Sequence, residues 1–301
     1  MSDALLLLPD AALIVIGCLL CRFTPLNRAL WDAVERLVYV LLFPALLFTA
    51  IVRHPLALGT ALPLAACALA VVLAGVLMAF ALRWFPGVDA KLHASGAQTA
   101  FRFNSYVALA LAERLGGSAG VAAMAMLVAV CVPVVNVAAV WPLARQGGQG
   151  LWRELARNPL ILATVSGLLF NALGLGLPDW LNTTLSRMGS AALPLGLMAV
   201  GASLHLGALR QGPGLAAALM AIRHLALPAL ALLLVSGMKL PPAQQLVVVA
   251  FAAVPTASSA YVLAVRMGGR GPFVAGLVTL STLLGMASLP LWLAAWRAWV
   301  Q

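Results

Sequence analysis

The chain has 301 residues, of which 63% are hydrophobic and only 9% charged, and its mean hydropathy is +1.05. Soluble domains carry about a quarter charged residues, which excludes a water-soluble fold, and a bilayer core of roughly 30 Å crossed by helices of about 20 residues leaves room for about ten crossings and no separate soluble domain. The formal charge of +10 would point to nucleic acid in a soluble protein, but the bases fall singly between apolar runs, so they read as topology signals and no nucleic-acid partner is expected.

Apolar windows predict spans near residues 3–21, 33–52, 61–83, 94–113, 119–143, 159–176, 188–206, 214–237, 243–265 and 272–298. The first run, DALLLLPDAALIVIGCLLCRF, has no Lys or Arg ahead of it, so it lacks the basic start of a secretory signal and reads as a retained helix. Cys18 and Cys21 form a C-x-x-C inside that run, with no second pair and no neighbouring His. Small-residue packing is favoured there over a redox or zinc site. Cys67 and Cys131 are isolated in apolar runs, and His54, His93 and His205 are scattered near span ends. No disulfide framework, metal site or cofactor is expected.

Between the spans, Lys and Arg alternate between heavy and light loops. Arg22, Arg28, Arg36, Arg83, Lys91, Arg145, Arg153, Arg157, Arg210, Arg266 and Arg270 fall on one side, and Arg53, Arg114, Arg187, Lys239 and Arg297 on the other. Eleven against five puts both termini outside the cytoplasm by the positive-inside rule. Arg102 and Arg223 are left within spans.

The two halves repeat. ALAERLGG at residues 110–117 matches VLAVRMGG at 262–269, keeping Leu, Ala, Arg and both Gly in register, and Pro44 in LLFPALLFTA corresponds to Pro194 in AALPLGLMAV. Each half holds an odd number of spans, so the second half starts on the opposite side of the membrane from the first. The expected architecture is all-α, with ten transmembrane helices in two inverted five-helix repeats, residues 1–143 and 159–301, joined by a cytoplasmic linker at 144–158.

Inverted-repeat transporters bind substrate near the midplane, where matching helices are broken. In the fourth span Arg102, Asn104, Ser105 and Tyr106 interrupt the apolar run, and in the ninth Pro255, Thr256, Ser258, Ser259 and Tyr261 do so at the corresponding depth. Pro255 removes a backbone donor and is expected to unwind its helix. If both helices break and cross, two half-helix N-termini face one point, each with roughly half a positive charge and unpaired N–H groups. That arrangement suits a carboxylate. Ser, Thr and Pro also serve purely structural purposes in membrane helices, and it is their concentration at matched positions that favours a site. Arg102 either snorkels or faces water, Arg223 and His224 before Pro228 read equally as an interfacial anchor or as pathway residues, and Asn136 and Asp10 as further ligands or as local structure.

These motifs give the chain a resemblance to the auxin efflux carrier family, in its bacterial branch. The resemblance runs through RFNSYVALAL and PVVNVAAVWPL in the first half, NPLILATVSGLLFN and AALPLGLMAVGASL in the middle, and PTASSAYVLAVRMGG and TLSTLLGMASLPLW at the end. It implies a multi-pass protein of the bacterial inner membrane whose fourth and ninth helices cross at Asn104 and Pro255. A scaffold of helices one, two, six and seven, homodimerisation through that scaffold and elevator-like motion of the rest are implied with it. Plant members place a Pro after the crossover Asn, where this chain has Ser105, and carry an acidic and a basic residue in the third helix, where residues 61–82 have no ionisable side chain. The first break is therefore expected to be softer and a proton step through the third helix is disfavoured. The implied substrate is a small mono- or dicarboxylate such as malonate or malate rather than auxin.

Secondary transport of a small organic anion is thus the expected function. The alternative is a sodium-coupled organic-anion symporter resembling the bile acid carriers, which usually need acidic or polar ion ligands that are scarce here. No span holds paired carboxylates, a zinc triad or a Ser with a neighbouring His, so an enzyme is not expected.

Overall fold

The computed structural model describes residues 3–53, 58–144, 159–204, 211–238 and 240–300. Nearly all of the predicted linker, together with His54, His205, Arg210 and Lys239, lies outside the described residues, as do the side chains of Asp10 and Arg266. Within them the chain is all helical and has no strand.

The helices in chain order are α1 (Asp3–Phe23), α2 (Arg28–Arg53), α3 (Leu58–Ala81), α4 (Ala90–Gly96), α5 (Gln98–Phe101), α6 (Ser105–Ala144), α7 (Pro159–Ala172), α8 (Asp179–Ala202), α9 (Pro213–Gly237), α10 (Pro242–Ala253), α11 (Ser259–Arg266) and α12 (Gly271–Val300). Five described stretches are long and apolar enough to cross a membrane: Arg28–Arg53, Leu62–Trp84, Ala90–Leu143, Pro213–Gly237 and Gly271–Val300.

α6 is two helices that meet at Gly117, whose φ of 54° and ψ of −146° end the first. A Cβ on Gly120 would run into the Ala112 carbonyl. Eight residues of straight helix would separate those positions by about 12 Å, so the chain doubles back there. The second Gly-Gly pair is also a stop: Gly268, at φ 69°, ends α11. Both signature glycines occupy conformations that a side chain disfavours.

α8 starts nine residues before the expected 188, because its first turns, DWLNTTLSR, are polar and largely exposed and therefore fall below a hydropathy window. Two π turns, Val38–Leu42 in α2 and Ile222–Ala226 in α9, directly precede the turns that hold Pro44 and Pro228. Proline lacks an N–H and leaves the carbonyl four residues back unsatisfied. For Pro228 that carbonyl belongs to His224, and it accepts from Trp292 Nε1 at 2.8 Å.

The chain forms two compact units. The first gathers the described residues of Met1–Leu62, Tyr106–Ala129 and Trp152–Ser203. Its helices touch backbone to backbone at glycines. A Cβ on Gly17 of α1 would strike the Met198 main chain of α8, and one on Gly201 would strike the carbonyl of Ile14. Cys21 packs beside Trp31, Ala199 and Ala202, as small-residue packing requires. Asn171 Nδ2 of α7 donates to the Ile51 carbonyl of α2 at 2.8 Å, and Arg53 donates to Asn182 and Ser186 of α8.

The second unit gathers the described residues of Pro63–Ser105, Val130–Leu151 and Leu204–Gln301. It holds both helix breaks. Its segments carry ten Lys and Arg residues and one acid, Asp89. That acid caps α4, its Oδ1 accepting from Leu92 N–H at 2.7 Å.

Candidate functional site: two broken helices joined by their main chains

The fourth span is broken. α5 stops at Phe101, Arg102 is extended (φ −73°, ψ 134°), and α6 resumes at Ser105. The ninth is broken too: α10 stops at Ala253, Val254 is extended (φ −64°, ψ 151°), and α11 begins at Ser259. The two breaks meet at main-chain atoms, with Asn104 N–H donating to the Pro255 carbonyl at 2.9 Å. Phe103 and Phe251 pack alongside, ring centroids 4.5 Å apart. Gly285 of α12 lies under Pro255, where an added Cβ would sit 3.2 Å from the proline ring.

A broken helix must place the hydrogen bonds it gives up. In an uninterrupted helix the Phe251 carbonyl would accept from residue 255, which is a proline, and the Ala252 carbonyl from Thr256. Here Arg223 takes both: its Nη2 donates to Phe251 O at 3.3 Å and to Ala252 O at 2.9 Å, while its Nε donates to Val254 O at 2.8 Å. Arg223 is only 2% exposed, so the interfacial-anchor reading is set aside. The Thr256 N–H goes instead to Ser281 Oγ of α12 at 2.9 Å. Ser281 in turn lies 2.9 Å from His224 Nε2, and His224 Nδ1 lies 3.0 Å from Ser288 Oγ.

At the first break the guanidinium of Arg102 is held by amide oxygens, Nη2 donating to Asn136 Oδ1 at 2.8 Å and Nη1 to Gln98 Oε1 at 3.2 Å. The half-buried guanidinium thus has two protein partners. Gln98, itself buried, passes its amide hydrogens to the Ser95 and Ala260 carbonyls, both at 3.2 Å. Ser95 Oγ accepts from Arg270 N–H at 2.8 Å, beside Gly269, where a Cβ would crowd that oxygen. α4 and α5 are thus stitched to both ends of α11. Each leading half-helix therefore ends on a guanidinium, Arg102 after α5 and Arg223 at α10. Cations are favourable at helix C-termini, and the unit's lone acid is spent on α4.

Of the residues singled out from the sequence, Asn104 and Pro255 meet directly, Arg102 and Asn136 are hydrogen bonded, and Ser105 starts α6. Thr256 is fully buried, and its Oγ1 has no hydrogen-bond partner among the described residues. Ser258 is buried at the head of α11. Ser259 is exposed, and Tyr261 packs against Ala260, Ala264, Val274 and Val278. Tyr106 belongs to the first unit, where its ring stacks on Phe43 with centroids 4.5 Å apart and lies against Gly196. In α11 the Ala260 and Tyr261 N–H groups are already used, donating to the Ala257 and Ser258 carbonyls at 3.1 and 3.0 Å.

Sequence reasoning missed Gln98, Ser95 and Ser281. Gln98 and Ser95 carry a signal, being polar residues inside the apolar run of the fourth span, whereas Ser281 is one of several hydroxyls in the tenth.

No curated protein matches the chain in sequence. A family profile described as membrane transport protein matches residues 143–293, half of the chain, and takes in α7 to α11 and most of α12. With its apolar helices and paired breaks, the chain is a multi-pass membrane protein and belongs to the membrane transport protein family, that of the auxin efflux carriers, a family of secondary transporters.

Proposed function

We propose that the protein carries a small organic anion, a mono- or dicarboxylate, across the bacterial inner membrane, and that the anion binds where the breaks of α5–α6 and α10–α11 meet. The observation that carries this reading is the main-chain bond from Asn104 to Pro255 in a unit with two buried or half-buried guanidinium groups and a single, already engaged carboxylate. α11 starts shortly after Pro255, and the dipole of a helix N-terminus favours negative charge. Asn104 lends its side-chain amide, and the buried Thr256 Oγ1 is a further donor, since leaving it without a partner costs about 1–3 kcal/mol.

Helices α1, α2, α7 and α8 act as the scaffold and dimer surface of an elevator-type carrier, and the remaining helices, with both breaks, as its transporting part. The chain is two inverted repeats, 1–143 and 159–301, with ten crossings and both termini extracytoplasmic. Purified protein in proteoliposomes, tested for uptake of labelled malonate with and without imposed proton or sodium gradients, checks the reading. Accumulation of a carboxylate is expected. Stabilisation of the purified protein by amines or metal cations alone, with no carboxylate moved, would overturn it, and strict dependence on sodium would favour the symporter alternative.

A further inference from the structure

Arg223 is remote in sequence from both breaks, yet it supplies the donors that the ninth-span break lacks. Three carbonyls, Phe251, Ala252 and Val254, point at one guanidinium. Proline at 255 makes the first of these obligatory, since residue 255 has no N–H to offer. Arg223 sits in the π turn Ile222–Ala226, an irregularity frequent at functional sites. Its neighbour His224 holds Ser281, which accepts the Thr256 N–H. One turn of α9 therefore serves both sides of the break, the carbonyls directly and the amide through α12.

The charge needs explaining as well. A side-chain amide or water would satisfy carbonyls at a lower insertion cost than Arg. An amide carries only two N–H groups for the three carbonyls here, however, so that Arg223→Gln still leaves one without its donor. The unit offers no carboxylate to pair with it beyond Asp89, which caps Leu92. We propose that Arg223 is a positioning residue of the transport site, which keeps the ninth helix open and lends the anion site a fixed positive charge, so that ligands of higher negative charge are preferred. This deepens the anion reading above and rests on it for the ligand.

Two measurements test it. The first is a melting-temperature cycle on the detergent-purified full chain with Arg223→Gln, Pro255→Ala and the double variant. Pro255→Ala restores an N–H for the Phe251 carbonyl, so it should offset much of the loss caused by Arg223→Gln. Strictly additive shifts would overturn the positioning role. If Arg223→Gln alone gives no folded protein, the double variant decides: recovery of a monodisperse protein supports the proposal, and none overturns it.

The second compares affinity for malonate, a dianion, with affinity for propionate, a monoanion of similar size, by ligand-induced thermal shift. A unit charge about 10 Å away at an effective dielectric of about 20 alters affinity on the order of tenfold per ligand charge. In the folded variant that loses the charge, malonate should therefore weaken on the order of tenfold more than propionate, and Arg223→Lys should restore the ratio. Equal losses for the two acids, or no loss, would overturn the charge role. A wild-type protein that binds neither acid nor any other carboxylate would remove the anion reading, while the melting cycle, which needs no ligand, would still report on positioning.

Discussion

The amide N–H of Asn104 reaches the carbonyl of Pro255 at 2.9 Å, so the two broken helices are joined by atoms that side-chain substitutions leave in place. Replacing the Asn104 side chain therefore probes chemistry more than fold. Asn104→Leu is expected to weaken carboxylate binding by roughly tenfold to a hundredfold, since hydrogen bonds to charged groups contribute about 1.5–3 kcal/mol. Its melting temperature should stay close to that of the parent. A large fall in melting temperature with unchanged affinity would assign Asn104 to packing.

Pro255→Ala acts on the helix itself. It supplies the missing N–H at residue 255 and removes a residue that costs about 3 kcal/mol inside a helix. Transport in proteoliposomes should fall while thermal stability is kept or rises. Full transport with a continuous ninth helix, detected as slowed amide exchange at residues 255–258, would contradict the proposed site.

Asn136 is a lever on the charge of Arg102, to which it presents Oδ1 at 2.8 Å. Asn136→Asp converts that contact into an ion pair of similar shape, so folding should survive while carboxylate affinity drops, the positive charge being offset by the new acid. Asn136→Leu should instead lower the melting temperature, because a guanidinium inside the protein loses an acceptor. Thermal shift with and without malonate separates the two outcomes.

In the first unit, glycine is required where main chains touch. Gly201→Leu, which would drive a side chain into the Ile14 carbonyl, is expected to abolish recovery of monodisperse protein by size exclusion. Gly116→Ala meets nothing within 4 Å in a helical segment. It should be neutral or stabilise by up to about 1 kcal/mol, the cost of glycine in a helix.

Reporter domains fused to either end should give extracytoplasmic signals, following the eleven-to-five distribution of loop bases. Cytoplasmic signals at both ends would invert every loop.

The class of the protein was legible because hydropathy alone decides what can span a bilayer, and both breaks were legible because Arg102, Asn104 and Pro255 are costly residues in an apolar helix. What holds the breaks was not. Arg223 binds carbonyls about thirty positions away, and no local pattern announces a partner at that separation. Gln98 is hidden for the same reason, since its contact with Ala260 spans 162 positions. Tyr106 stands two residues from Asn104 in sequence, and the packing of its ring on Phe43 and Gly196 is equally invisible to local pattern. The early start of α8 escaped because a polar, exposed first turn forms helix without leaving an apolar trace.

The hydrogen bonds surrendered at the ninth-span break are held by α9 through Arg223 and by α12 through Ser281. Resealing the helix would mean withdrawing both side chains in one event, and leaving either behind would strand polar groups in an apolar interior. The break is consequently no independent hinge. Its opening free energy is tied to that of a three-helix cooperative unit, and amides on either side of Pro255 should exchange with the slow kinetics of α9 and α12 rather than with those of an isolated loop.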